Sequence, residues 1–256
     1  MMANEMQNKS LSISVCMATY NGAVFIEEQL RSILAQLPND AEVLIADDGS
    51  ADTTLEKVNA FHDSRIKIIE PVSTSTPLGP IYNLERALAK ANGRYIFLAD
   101  QDDVWLEGKV ARVLSVLEQS SATARKQGVL VLHDAYLLVP AEEKCSEFCR
   151  AGRLSDIRPF AVGAFRNWFK NGYTGCCMAF ERTLLDRTLP FPKNLPMHDQ
   201  WLGLVAERFM NVVYLDEPLV EYRQHKKNAT HIAGGTTSLV QKFKWRLNLM
   251  RALLSR

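Results

Sequence analysis

Residues 95–105 read YIFLADQDDVW. A short apolar run, YIFLA, leads directly into Asp100, Asp102 and Asp103, so a buried strand gathers three carboxylates at its C-terminal end. Carboxylates this close repel one another, and the arrangement is costly without a cation. A hard divalent ion such as Mg²⁺ or Mn²⁺ takes oxygen ligands and typically draws only one or two from carboxylates, with water and phosphate oxygens supplying the rest. The run therefore asks for a diphosphate to complete it. A plainer reading of an Asp-X-Asp triplet also exists: a solvated turn in which Asp103 caps the next helix.

The same strand, polar turn and helix recur on either side. SISVCMA (12–18) reads as a buried strand ending at TYNG, after which Ile26, Leu30, Ile33, Leu34 and Leu37 recur at helical spacing. EVLIA is followed by DDGS and a helix from about Asp52 to His62, IKII by a loop and the LERALAKA helix, and DQDD by a helix from about Leu106 to Glu118. Alternating strands and helices predict an α/β fold with a mostly parallel sheet. Right-handed crossovers then bring TYNG, DDGS and DQDD to one edge, where open α/β sheets bind ligands. Taken alone, DDGS reads as a turn and helix start.

Beyond VLVLHDAYLLV the rhythm weakens through 140–171, which reads as a mobile flap carrying Phe148, Phe165, Trp168 and Phe169. Order returns with GYTGCCMAF, a helix opening near His198, and the strands NVVYL and LVEYRQH, the expected acceptor side. In the last stretch Leu239, Phe243, Leu247, Met250 and Leu254 recur three or four residues apart, with Lys and Arg mostly elsewhere. Such a basic amphipathic helix fits an anionic membrane surface or a protein surface equally.

The 256 residues carry a net charge of +1, yet beyond Glu221 stand eight Lys or Arg and no acid. No nucleic-acid partner is expected. Five cysteines, Cys16, Cys145, Cys149, Cys176 and Cys177, show no zinc-finger spacing and read as buried thiols. No apolar run reaches the roughly 18 residues of a spanning helix, and the N-terminus MMANEMQNKS has no signal-peptide character, so a cytoplasmic location is expected.

The joint order TYNG, DDGS, Asn83 with LERALAKANG, then DQDDVW resembles glycosyltransferase family 2, whose fold is GT-A. GYTGCCMAF, MHDQWLGL and YLDEPLVEYRQH followed by Asn228 resemble the acceptor-side motifs of its rhamnosyltransferase-type members. The resemblance covers residues 12–230, with 12–132 as donor half and 133–230 as acceptor half, leaving a tail at 1–11 and the basic helix at 231–256.

The resemblance implies that Ala18, Thr19 and Tyr20, with Asn21, lie beside the nucleotide base, Asp47 and Asp48 at the base or ribose, Asn83 near the donor, and Asp100 with Gln101 at the ribose or sugar. It makes Asp102 the metal ligand with Asp103 close by, and places Arg223 or His225 over the diphosphate, His225 being a further candidate ligand of Mg²⁺ or Mn²⁺. Family members mostly invert the anomeric carbon in one displacement, which needs one base and no covalent nucleophile. That base falls on Asp199, at a helix N-terminus that would keep its carboxylate ionised. His198 is the rival base, and both residues can cap the helix.

Two departures bear on the acceptor: Gln200 replaces the first Trp of the usual His-Asp-Trp-Trp, and Cys177 stands where Thr is usual. The implied reaction moves L-rhamnose from dTDP-L-rhamnose onto a glycan or lipid-linked saccharide during bacterial O-antigen, capsule or cell-wall assembly. A sugar-nucleotide nucleotidyltransferase and a non-catalytic nucleotide-sugar-binding module are the alternatives. The first lacks its glycine-rich phosphate loop here.

Overall fold

The computed structural model describes residues 12–70, 76–123, 128–141, 148–160, 163–225 and 238–256. The first half alternates as expected: β1 (Ile13–Thr19), α1 (Ile26–Leu34), β2 (Glu42–Asp47), α2 (Thr54–Asn59), β3 (Ile66–Ile69), α3 (Gly79–Leu88), β4 (Tyr95–Asp100), β5 (Val104–Trp105) and α4 (Lys109–Thr123). Strands β3, β2, β1 and β4 lie side by side and parallel. Helices cover both faces, and this is why the strands read as continuous apolar runs. Val15, Met17, Val43, Ile45 and Phe97 pack with Leu30 and Ile33 of α1 and Val113 of α4 on one face. Cys16, Leu44, Ile96 and Leu98 pack with Leu84 and Leu88 of α3 on the other. Gly93 lets the turn before β4 lie against β1, since a Cβ there would come within 2.3 Å of the Ser14 nitrogen.

The second half adds β6 (Val129–Pro140), β7 (Phe148–Arg153), α5 (Leu154–Ile157), α6 (Ala164–Phe169), β8 (Met178–Glu181), α7 (Leu185–Thr188), α8 (His198–Phe209), β9 (Asn211–Arg223) and α9 (Leu239–Leu254). The sheet continues β4-β8-β6-β9-β5, with β8 antiparallel between β4 and β6 and β9 parallel to β6. NVVYL and LVEYR belong to one strand, β9, whose register against β6 shifts between Leu215 and Pro218. The intervening Asp216 and Glu217 interrupt the apolar pattern, so one strand read as two.

The segment expected to be a flap holds β7, α5 and α6. Its anchor is the buried Asp134, whose carboxylate takes hydrogen bonds from Arg153 Nε at 2.6 Å and Ser155 Oγ at 2.6 Å. An anchor made of one polar side chain leaves no periodic signal. The cysteine expectation holds for Cys16, Cys176 and Cys177, but Cys149 is exposed because it sits on β7 at the sheet's edge. Cys145, Asn228 and residues 1–11 lie outside the described residues. No described helix is long and apolar enough to cross a membrane.

Candidate active site

Parallel register sets three loops at one level. Thr19 is paired with Asp47 and Ala18 with Asp100, so TYNG, DDGS and DQDD leave the sheet together. A cleft of about 550 Å³ opens there, closed on its far side by the start of α8. Of the expected donor residues, Ala18, Thr19, Tyr20, Asp48, Asn83, Asp100 and Gln101 line it, together with Asp102 and Asp199.

Several of these side chains also build the walls. Gln101 clasps the backbone of Tyr20 from both sides: Tyr20 N–H donates to its Oε1 at 3.0 Å and its Nε2 donates to the Tyr20 carbonyl at 3.1 Å. Gly22 leaves room for this clasp, since a Cβ there would lie 2.2 Å from Gln101 Oε1 and displace the carboxamide. Asp48 accepts from the Leu78 and Gly79 amides at 2.8 and 2.7 Å and so sets the start of α3. Asn83, buried on α3, donates to the Ala46 carbonyl and accepts from Arg86 at 2.6 Å.

Asn21, Asp47, Arg223 and His225 are not among the lining residues. Asp47 is turned into the DDGS turn, where it accepts from Thr19 Oγ1 at 2.8 Å, Ser50 Oγ at 2.6 Å, and the Gly49 and Ser50 amides at 3.0 and 2.8 Å. Both its oxygens brace the loop. Asn21, at φ 48°, accepts from the Ala51 amide at 2.8 Å and ties TYNG to DDGS. Arg223 is buried, pairs with Glu28 at 2.8 Å, and lies 4.7 and 4.8 Å from the Phe25 and Phe148 ring centres. Glu28 and the two rings enclose its guanidinium.

The acidic residues divide by direction. Asp102 lines the cleft, and its Oδ2 lies 2.8 Å from Nε2 of His225, whose ring stacks on Phe25 at 4.8 Å. Asp103 points inward: Oδ1 accepts from the Arg223 amide at 3.0 Å, and Oδ2 is buried with no hydrogen-bond partner among the described residues. Burial, reinforced by Asp102 and Asp100, pushes the Asp103 carboxyl well above the usual carboxylate range. Burial, with Asp102 and Asp199 adding to it, pushes Asp100 up to about 7.

Asp100, Asp103 and Cys176 offer ligand atoms within 4.8 Å of one another, but a buried thiol is a poor donor for a hard ion. Asp100 and Asp102, which reach the cleft, present the oxygens that Mg²⁺ or Mn²⁺ takes, and a cation there would offset their mutual repulsion. Beneath them Lys109 is fully buried, donating to the Cys176 carbonyl at 3.0 Å with Nζ 4.1 Å from the Trp105 ring centre. Burial draws Lys109 down to about 8. Lys109 and Arg158 escaped sequence reasoning. Arg158 lines the cleft, with Nη1 3.3 Å from both the Tyr173 carbonyl and Thr174 Oγ1, but comes from the aperiodic segment and carries no local signal.

On the acceptor side Asp199 is buried in the first turn of α8. Its Oδ1 accepts from Asn171 Nδ2 at 2.9 Å and from the Gln200 amide at 2.6 Å, while Oδ2 has no hydrogen-bond partner among the described residues. Asn171 is oriented in turn, because its own Oδ1 accepts from the Tyr173 amide at 3.1 Å. The rival His198 also lines the cleft, burial lowers its pKa, and its Nδ1 has no partner among the described residues. Gln200 and Cys177 are outside the lining; Gln200 Nε2 donates to the Asn167 carbonyl at 2.8 Å, tying α8 to α6.

A mostly parallel sheet with strand-end carboxylates lining a cleft at one edge is an α/β fold of the GT-A kind. Residues 14–189 match the model of Glycosyl transferase family 2, and the chain belongs to that family. It is 29% identical to the dTDP-rhamnosyl transferase RfbG of Shigella flexneri, over 92% of this chain and 79% of that protein. Its fold superposes on S. aureus TarS in complex with UDP-GlcNAc with a TM-score of 0.68 at 19% identity, covering 95% of this chain and 66% of that one, just under two thirds. The mannosyltransferase PcManGT of Pyrobaculum calidifontis, in complex with GDP-Man and Mn²⁺, gives 0.61 at 20% identity over 96% and 70%.

Proposed function

We propose that this chain is an inverting, metal-dependent glycosyltransferase that moves L-rhamnose from dTDP-L-rhamnose onto a glycan or lipid-linked saccharide acceptor in bacterial surface polysaccharide assembly. The observation that carries the reading is that Asp102, just past the end of β4, and Asp199, in the first turn of α8, line one and the same cleft. One carboxylate is placed for the diphosphate of a donor and the other for the hydroxyl of an acceptor.

The donor nucleotide lies along Ala18, Thr19 and Tyr20, with its diphosphate toward Asp100 and Asp102. Bound Mg²⁺ or Mn²⁺ supplies Lewis-acid stabilisation of the negative charge on the departing diphosphate. Asp199 Oδ2 accepts the proton of the acceptor hydroxyl as that oxygen bonds to the anomeric carbon and the bond from that carbon to the diphosphate oxygen breaks. Asn171 keeps the other oxygen occupied, so one face of the carboxylate is presented. The rhamnosyl donor is supported by the likeness to RfbG and by the acceptor-side motifs, and the metal by Asp100 and Asp102, two carboxylates two residues apart that both line the cleft.

The test is a panel of nucleoside diphosphate sugars with and without Mn²⁺, followed by calorimetry and by release of the nucleoside diphosphate. dTDP-L-rhamnose is expected to bind in a metal-dependent manner and to be turned over. Metal-independent binding of every donor would overturn the reading, and pyrophosphate release would replace it with a nucleotidyltransferase.

A further inference from the structure

Helix α9 is bound to its own domain by one face only. Leu249 is buried, Ala252 and Leu253 pack on the same core as α8, Arg208 donates to the Leu253 carbonyl, and Arg256 Nη1 reaches the Leu189 carbonyl at 3.1 Å. Of the apolar stripe read in the sequence, Leu247 is half-buried and three other members turn outward. Phe243, Met250 and Leu254 are 62%, 44% and 73% exposed. Their spacings of seven and eleven residues put them on one face of a helix.

The stripe continues onto α6. Phe165 and Phe169 there are also exposed, with ring centres 5.1 Å apart. Arg246 joins the two helices, its guanidinium 5.0 Å from the Phe169 ring centre and its Nη2 donating to the Phe169 carbonyl at 3.2 Å. Eight large apolar side chains are exposed among the described residues, and five of them are on these two helices. That concentration marks an interaction surface rather than scatter.

The charges carried by the two helices themselves are of one sign. Lys244 and Arg251 are exposed on α9, and Arg166 and Lys170 are exposed on and just after α6. Neither α6 nor the chain from 239 onward contains an Asp or Glu. We infer that α6 and α9 together form a docking surface for an anionic phospholipid bilayer, apolar side chains entering the interface while Lys and Arg meet the phosphates. The surface adjoins the acceptor wall: Gln200, next to Asp199, bonds to Asn167 of α6, and Asn171, two residues beyond α6, holds Asp199. A chain docked this way carries its acceptor wall close to the bilayer. Docking requires neither donor nor metal, so it stands or falls apart from the transfer reaction.

The experiment is co-sedimentation of the full chain with vesicles of phosphatidylcholine alone and of phosphatidylcholine mixed with phosphatidylglycerol, without donor or metal. Binding is expected to the mixed vesicles and to weaken with added salt. Lys244→Glu with Arg251→Glu is expected to cut the partition at least about tenfold, and Phe243→Ser with Leu254→Ser to reduce it similarly, the melting temperature remaining unchanged. Equal partition onto both vesicle types, no partition onto either, or a dimer seen by light scattering that Phe243→Ser abolishes would overturn the inference, the last by placing a second copy on the stripe. The salt series on the unaltered chain decides even if a variant folds poorly.

Discussion

His225 Nε2 lies 2.8 Å from Asp102 Oδ2 although 123 residues separate them in the chain. The contact lets a residue beyond the last strand of the sheet set the direction of the carboxylate proposed to meet the cation. Asp102→Ala is expected to abolish the Mn²⁺-dependent part of nucleoside diphosphate binding. His225→Ala is expected to weaken it by at least about tenfold, the usual cost of losing a partner that orients a ligand. Calorimetry with dTDP at saturating and zero Mn²⁺ checks both, and an unaltered His225→Ala protein would remove this residue from the site.

Gln101 and Gly22 form one device for holding the Tyr20 backbone. Gln101→Ala removes two hydrogen bonds worth about 1 kcal/mol each, which is about a thirtyfold rise in donor KM if the loop must be ordered to bind. Gly22→Ala is expected to raise KM in the same direction, because the new methyl group occupies the place of the Gln101 carboxamide. Steady-state kinetics over donor concentration separates this from an effect on kcat. A change confined to kcat would contradict the positioning role.

The base assignment predicts that Asp199→Asn keeps donor affinity but slows transfer by at least about a hundredfold, the usual contribution of a general base. Donor binding by calorimetry and turnover on the same preparation give the two halves. A fully active Asp199→Asn enzyme together with an inactive His198→Gln enzyme would move the role to His198, which lines the same cleft.

Thiol reactivity follows burial. Cys149 is exposed and is expected to react with iodoacetamide in the native protein. Cys16 and Cys176 are expected to stay unmodified, because burial pushes the Cys16 thiol up and a hydrogen bond to Cys177, together with burial, pushes Cys176 up. Peptide mass spectrometry before and after denaturation reads this out. Native labelling of Cys16 would mean that β1 is not the closed central strand described.

The alternation of buried strands and amphipathic helices through residue 123, and the delivery of DQDD to a strand end, were legible in the sequence. A strand covered on both faces must be apolar along its length, and the loop that follows it must be polar, so the pattern carries the architecture. The convergence of TYNG and DQDD on one cleft was legible for a similar reason, because parallel strands deliver their following loops to one edge, whereas Asp199 was indicated only by the family resemblance. Tertiary structure alone decided where individual side chains turned. Asp47 and Arg223 have the residue types of ligands, yet one is taken up by four donors of its own turn and neighbouring strand and the other by Glu28 and two rings. The apolar stripe of α9 reads equally as a membrane-facing or a protein-facing surface, and only the packed chain shows that Leu249 is buried while Phe243, Met250 and Leu254 are exposed. Periodicity records which residues share a face. What lies opposite that face depends on pairings between distant segments, and those are set only when the whole chain packs.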